Sequence, residues 1–138
     1  MKGEEKMNIG AKYLLDTNIL IELMAGKERW VEKVKRWLED GEIMINSIVV
    51  AEFLSKASQL EREKLKLLTT RLGVISIDEV IGEVAGNYRQ QFLNKKNKVY
   101  LLDCLMAATA KVCNLILVTR NVADYSMKDI EVLDPGKI

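Results

Sequence analysis

Histidine is absent from this 138-residue chain. Without an imidazole there is no side chain that titrates unaided near neutral pH and no nitrogen ligand of the usual kind for a metal, so any chemistry runs on carboxylates, hydroxyls, amines or thiols. Proline is nearly missing as well. Pro135 is the single example, and with no Ser/Gly-rich tract and no internal repeat the chain reads as one continuous folding unit. No apolar run approaches the roughly 18 residues that suggest a membrane span, and Met1–Lys6 is charged rather than signal-like, so a cytoplasmic protein is expected. The two cysteines, Cys104 and Cys113, are nine positions apart in an expected helix, about 13 Å of rise, which is too far for a disulfide along one helix. Free thiols are the expectation, since no further Cys or His stands by to make a metal site.

What is present is a balanced composition, 49% hydrophobic and 30% charged, enough for one packed domain. Residues 1–11 are polar and read as a loose leader, with Met7 a second candidate start, and residues 12–138 as the domain. The net charge of +1 lacks the basic excess that often marks a nucleic-acid binder. The average conceals an asymmetry. Set the 21 basic residues against the acids left after discounting Asp16, Glu52, Asp103 and Asp124, and the rest of the chain carries +5, with Lys95, Lys96 and Lys98 grouped in one stretch.

Short apolar runs alternate with amphipathic segments. Strands are expected at Lys12–Leu15, Glu42–Asn46, Val74–Ile77, Leu115–Val118 and Ile130–Leu133. Helices are expected in the chain after Asp16 with Thr17 or Asn18 as cap, over 28–39 with a stop at Asp40-Gly41, after Ser47 as cap, over 60–72, after Asp78 as cap, and over 100–113. A short helical turn is expected near Asn121–Tyr125. This alternation predicts an α/β fold, a three-layer α/β/α sandwich around a central, mostly parallel sheet. In such sheets the functional crevice lies beyond the carboxyl ends of the strands. Asp16 follows the first strand directly, Glu52 sits in the second turn after the second, Asp124 follows the fourth, and Asp103 opens its helix.

Each acid alone has a plain structural role open to it: Asp16 or Asp103 as a helix cap, Glu52 facing solvent, Asp124 in a turn. Together they share a feature that such roles do not require. Asp16 and Asp103 follow Leu14-Leu15 and Leu101-Leu102, and Glu52 follows Val49-Val50-Ala51, and charges are rarely set in apolar surroundings without a partner. Clustered carboxylates repel unless a cation sits among them, and a hard cation, Mg²⁺ or Mn²⁺, prefers oxygen ligands. Phosphodiester hydrolysis needs an activated water and neutralisation of charge on phosphate, which such ions supply.

The stretches LLDTNIL at 14–20, SIVVAEFL at 47–54, LLDCLMAATA at 101–110 and LVTRNVADY at 117–125, in this order and spacing, resemble the PIN domain family and within it the VapC-type toxins of toxin–antitoxin pairs. The resemblance implies an α/β/α fold and a Mg²⁺- or Mn²⁺-dependent endoribonuclease, with RNA as substrate, a cognate antitoxin protein as partner and a homodimer as the common assembly. It also implies that Asp16, Glu52 and Asp103 are the main metal-binding acids and Asp124 the more variable fourth, that Asn18 and Thr119 line the site to hold water or phosphate, and that Arg120 approaches substrate. The glycine common before the third acid is replaced here by Lys95-Lys96-Asn97-Lys98, where Asn97 tolerates a left-handed turn. Apolar surface on helices 28–39 and 47–58 is expected to receive the antitoxin or a second copy. A housekeeping RNA-processing nuclease, a structure-selective nuclease, and a non-catalytic binding module of the same fold are the alternatives.

Overall fold

The computed structural model describes residues 10–95 and 99–138. Five short strands, β1 (Tyr13–Leu15), β2 (Ile43–Asn46), β3 (Gly73–Ile75), β4 (Ile116–Val118) and β5 (Val132–Leu133), form one sheet in the order β3-β2-β1-β4-β5, and every neighbouring pair is parallel. Parallel neighbours need crossover connections. Helices α1 (Thr17–Ala25) and α2 (Val31–Glu39) join β1 to β2, α3 (Ser47–Ser55) and α4 (Gln59–Leu68) join β2 to β3, and α5 (Glu79–Gln91) and α6 (Leu101–Cys113) join β3 to β4. The chain steps outward from β1 to β3, then returns to the other side of β1. With right-handed connections, the reversal places α1–α4 on one face and α5–α6 on the other. The expected sandwich is therefore the observed one.

Strand faces covered on both sides explain the unbroken apolar runs. Leu14, Leu15, Ile45, Leu117 and Val118 are fully buried, as are Ile19 and Leu20 from α1. Helix α6 meets the core through Met106, Ala107 and Ala108, whose small alanines let its backbone approach the strands. At the opposite end of the sheet, Trp37 stacks on Tyr13 with ring centroids 3.8 Å apart, and Lys12 pairs with Glu42 at 2.7 Å. Gly41, at φ +71°, makes the tight return into β2 that the sequence placed at Asp40-Gly41.

Several local expectations are corrected. The cap of α1 is Asp16, not Thr17 or Asn18, and the cap of α3 is Asn46, not Ser47, which is the first helical residue. The helix expected over 28–39 starts at Val31, and that expected over 60–72 spans Gln59–Leu68, opened by a Ser58–Glu61 capping box. Val31 and Val34 of α2 and Val49 and Phe53 of α3 are buried, while the half-buried Leu38, Val50 and Leu54 line surface grooves. Exposed apolar side chains lie instead at Leu60 and Leu67 on α4 and at Leu93, Tyr100, Leu101 and Leu102 around the start of α6. Cys104 is a buried thiol and no disulfide joins it to Cys113, as expected. Lys96, Asn97, Lys98 and most of the leader lie outside the described residues. No helix among the described residues is long and apolar enough to cross a membrane.

Candidate active site

The switch in strand order falls between β1 and β4, and both strands deliver polar residues there. Asp16 leaves β1 in an extended conformation, and its N–H donates to the Val118 carbonyl at 2.9 Å, pinning the two strand ends together. Oδ1 of Asp16 accepts the Thr17 N–H at 2.9 Å. The carboxylate thus performs the capping role that sequence left open as its alternative, and this does not consume the group. Oδ2 accepts from Thr119 Oγ1 at 2.9 Å, from Tyr125 OH at 3.0 Å and from Asn18 Nδ2 at 3.4 Å. Asn18 completes the junction by accepting the Arg120 N–H on Oδ1 at 3.1 Å, and Thr119 Oγ1 accepts the Asn121 N–H at 3.1 Å. Asn18 and Thr119 therefore stand beside Asp16.

Arg120 divides. Its main chain joins this junction, whereas its guanidinium turns to Asp134 at 3.0 Å and Glu22 at 3.4 Å and lies 5.7 Å from the centre of the Trp30 ring.

Glu52 is exposed on α3, and its Oε1 accepts the Thr17 hydroxyl at 2.8 Å, next in sequence to Asp16. The start of α3 is held by Asn46, fully buried at the end of β2. Asn46 Oδ1 accepts the Val49 N–H at 3.0 Å, and its Nδ2 donates to Thr109 Oγ1 at 3.0 Å and Met106 Sδ at 3.3 Å. One side chain thereby fastens the helix carrying Glu52 to α6, the helix carrying Asp103.

Asp103, in the first turn of α6, is half-buried. Burial first, then the neighbouring charges of Asp124 and Asp16 and a smaller push from Glu52, together raise its carboxyl to about 6. A backbone hydrogen bond at Tyr100 opposes the rise. All three other sequence-selected acids thus act on Asp103 through space. Asp124 itself is exposed, in a 3-10 turn over Val122–Asp124. The four share one field without closing on a common point: among the described residues no three acids or cysteines are drawn up close enough to clasp an ion as they stand. Glu52 is exposed and engaged with Thr17.

The donor set fits a hard divalent cation in kind. Oxygen is the only ligand type offered, because the chain has no histidine and Cys104, beside Asp103, is fully buried with its thiol pushed up by burial. The mutual repulsion recorded by Asp103 is what a cation among the four would relieve.

Sequence reading gave no role to Thr17 beyond a cap, to Asn46, or to Tyr125. Tyr125 is 8% exposed, and burial first, then the charges of Asp16 and Asp103, push its phenol far up, so it remains a protonated donor throughout the working range. Its signal was a hydroxyl-bearing aromatic directly after Asp124.

Comparison with known proteins agrees with this architecture. The PIN domain family profile matches residues 13–130. Ribonuclease VapC10 of Mycobacterium tuberculosis is 31% identical over 83% of this chain and 86% of its own. Among solved structures, VapBC-1 from nontypeable Haemophilus influenzae is similar with a TM-score of 0.76 and 26% identity, covering 89% of this chain and 97% of the other. A toxin-antitoxin complex from Klebsiella pneumoniae follows with a TM-score of 0.71 and 26% identity over 90% and 98%. The chain belongs to the PIN domain family, among its VapC-type members.

Proposed function

We propose that this chain is a divalent-metal-dependent endoribonuclease and the toxin of a toxin–antitoxin pair, working in the cytoplasm with Mg²⁺ or Mn²⁺. The observation that carries the reading is that the Asp103 carboxyl, raised first by burial, is raised also by the charges of Asp124, Asp16 and Glu52, so that four acids from separate elements share one field near the switch point of the sheet. The ribonuclease name of the Mycobacterium relative and the Klebsiella toxin-antitoxin complex support the same reading.

Asp16, Glu52, Asp103 and Asp124 would hold the ion or ions. Such an ion supplies Lewis acidity, making a water acidic near neutral pH and offsetting charge that builds on phosphate. The protein's own part is orientation. Oδ2 of Asp16 already accepts three hydrogen bonds and Oδ1 only one, so Oδ1 has lone-pair capacity left, in a position fixed by the Thr17 N–H. Asn18 and Thr119 keep that carboxylate from rotating, and a carboxylate of the cluster or solvent takes up the proton. Glu52 and Asp124 are exposed and Asp16 and Asp103 half-buried, so the acids lie on an open rim that the interior of a strand can cross, which favours endonucleolytic cleavage. A rim of four acids also suits an antitoxin that offers a helix or basic side chain.

Purified protein is expected to cut RNA with Mg²⁺ or Mn²⁺ and not in excess EDTA. Asp16→Asn and Asp103→Asn are expected to remain folded and lose cleavage; full activity in either would overturn the site. Growth arrest on expression, relieved by the product of the neighbouring gene, tests the toxin role, and equal growth with and without that product would refute it.

A further inference from the structure

Beyond Lys95, Lys96 and Lys98, the formal basic surplus of the chain has no location in the sequence. The structure gathers part of it at one place. A pocket of about 650 Å³ is lined by Lys27, Arg29, Lys33 and Arg36 from the α1–α2 connection and α2, and by Arg120 and Gly136 beyond the ends of β4 and β5. Two acids, Glu28 and Glu32, also line it, and Glu32 is engaged by Lys35 at 3.7 Å. Arg120 is already neutralised by Asp134 and Glu22. The other four cations are different: among the described residues Lys27, Arg29, Lys33 and Arg36 carry no ion pair.

We propose that this pocket is a phosphate subsite for the RNA strand, holding a backbone phosphate to one side of the bond that is cut. The proposal rests on reading the chain as a ribonuclease and deepens it. Three observations favour a phosphate. Among the described residues the four cations make no ion pair, and like charges so placed repel until an anion enters. The pocket adjoins the acids through one residue, since Arg120 reaches into it with its side chain while its N–H is bonded to Asn18, which touches Asp16. The aromatic in the lining, Trp30, is 8% exposed and faced by the Arg120 guanidinium, so it serves as a floor and not as a platform for a base. Recognition of backbone charge, without stacking, is what remains. A negative rim that gathers cations next to a positive pocket that takes phosphate also accounts for how a chain of net charge +1 binds RNA.

The test compares full-length wild type, the triple variant Arg29→Gln/Lys33→Gln/Arg36→Gln, and a control of equal charge loss on α3–α4 and before the far edge strand, Lys56→Gln/Lys66→Gln/Arg71→Gln. Binding of a fluorescein-labelled single-stranded 12-nucleotide RNA is followed by anisotropy in EDTA across a series of NaCl concentrations. The pocket variant is expected to bind roughly tenfold weaker at moderate salt, with the slope of log K against log salt shallower by about 2, at about 0.7 for each phosphate contact on a single strand. Control and wild type should agree. With metal, KM for the oligonucleotide rises while kcat holds. Arg29→Gln alone, at an exposed position outside any helix, should move the slope the same way by about 0.7 should the triple variant fold poorly. An unchanged slope in the pocket variants, or an equal fall in the control, overturns the subsite and leaves the ribonuclease reading intact. RNA binding that is lost in the pocket variant when wild type cuts nothing keeps the subsite and overturns the catalytic reading. Intact RNA binding with loss of co-purification of the neighbouring gene product would assign the pocket to a protein and overturn the proposal.

Discussion

Tyr125 and Asp16 are 109 positions apart, and the phenol donates to Oδ2 of the carboxylate at 3.0 Å from a side chain that is 8% exposed. Burial and the surrounding negative charge keep the hydroxyl protonated, so the contact is always a donor meeting an acceptor. Partners of this kind behind a metal-binding carboxylate typically change affinity by about 10–100-fold when removed. Tyr125→Phe keeps the ring in the core and takes away the donor. Mn²⁺ affinity, measured by electron paramagnetic resonance of the free ion, is expected to fall about tenfold, with a loss of about 1–2 kcal/mol in urea unfolding in EDTA. An unchanged Mn²⁺ affinity would remove Tyr125 from the site.

Asp103 bears a cost in the metal-free fold that its substitution should reveal. Its folded pKa, about 6, lies above the ordinary carboxylate value, so the folded state binds the proton more tightly than the unfolded one. The penalty is full above pH 6, shrinks as pH falls through 6, and is gone below about 4. Asp103→Asn in EDTA is therefore expected to be more stable than wild type by about 1–2 kcal/mol at pH 7.5, after allowance for solvent screening, and equal to it at pH 4. Paired urea titrations at the two pH values measure this. A variant less stable at pH 7.5 would refute the assigned repulsion.

Asn46 stabilises two helices at once. Asn46→Ala strips the cap from α3 and leaves the Thr109 hydroxyl without its donor in a fully buried setting. Loss of a cap costs about 1 kcal/mol and loss of a buried hydrogen bond about 0.5–1.5 kcal/mol, because the Thr109 hydroxyl still donates to the Leu105 carbonyl at 2.8 Å, so a total of about 2 kcal/mol is expected in thermal or urea unfolding. Asn46→Ser, which keeps a capping oxygen, should recover part of it.

Wild-type protein is expected to gain about 3 kcal/mol when Mn²⁺ is present at about a hundredfold its dissociation constant. The same ion should leave Asp16→Asn nearly unmoved, as read by thermal shift. Equal stabilisation of both would place the ion elsewhere.

The strands and the four acids were legible because each acid directly follows, or lies within a turn or two of, a short apolar run, a pattern that survives without knowledge of any contact. The caps lie one or two residues before the expected ones at α1 and one before at α3, because Asp16 and Asn46 each end a strand region and cap the following helix at once. The apolar stripes of α2 and α3 were expected to face a partner. Part of each stripe joins the core and part lines surface grooves, and hydrophobic periodicity reports that a face is apolar without naming what covers it. Tyr125 and Asn46 escaped because their partners are distant in sequence, and no local pattern distinguishes a hydroxyl or amide that finds such a partner from one that meets water.

By itself the sequence determined the alternation of strand and helix, the oxygen-only chemistry, and the position of each acid at or near the end of an element, since these follow from local periodicity and residue type. Tertiary structure alone decided that β1 lies between β2 and β4, that Glu52 meets Thr17, that Asp103 feels three other charges and that Lys27, Arg29, Lys33, Arg36 and Arg120 line one pocket. The physical reason is range: propensity and capping act over a few residues, whereas strand pairing and electrostatic coupling join segments that the chain keeps far apart.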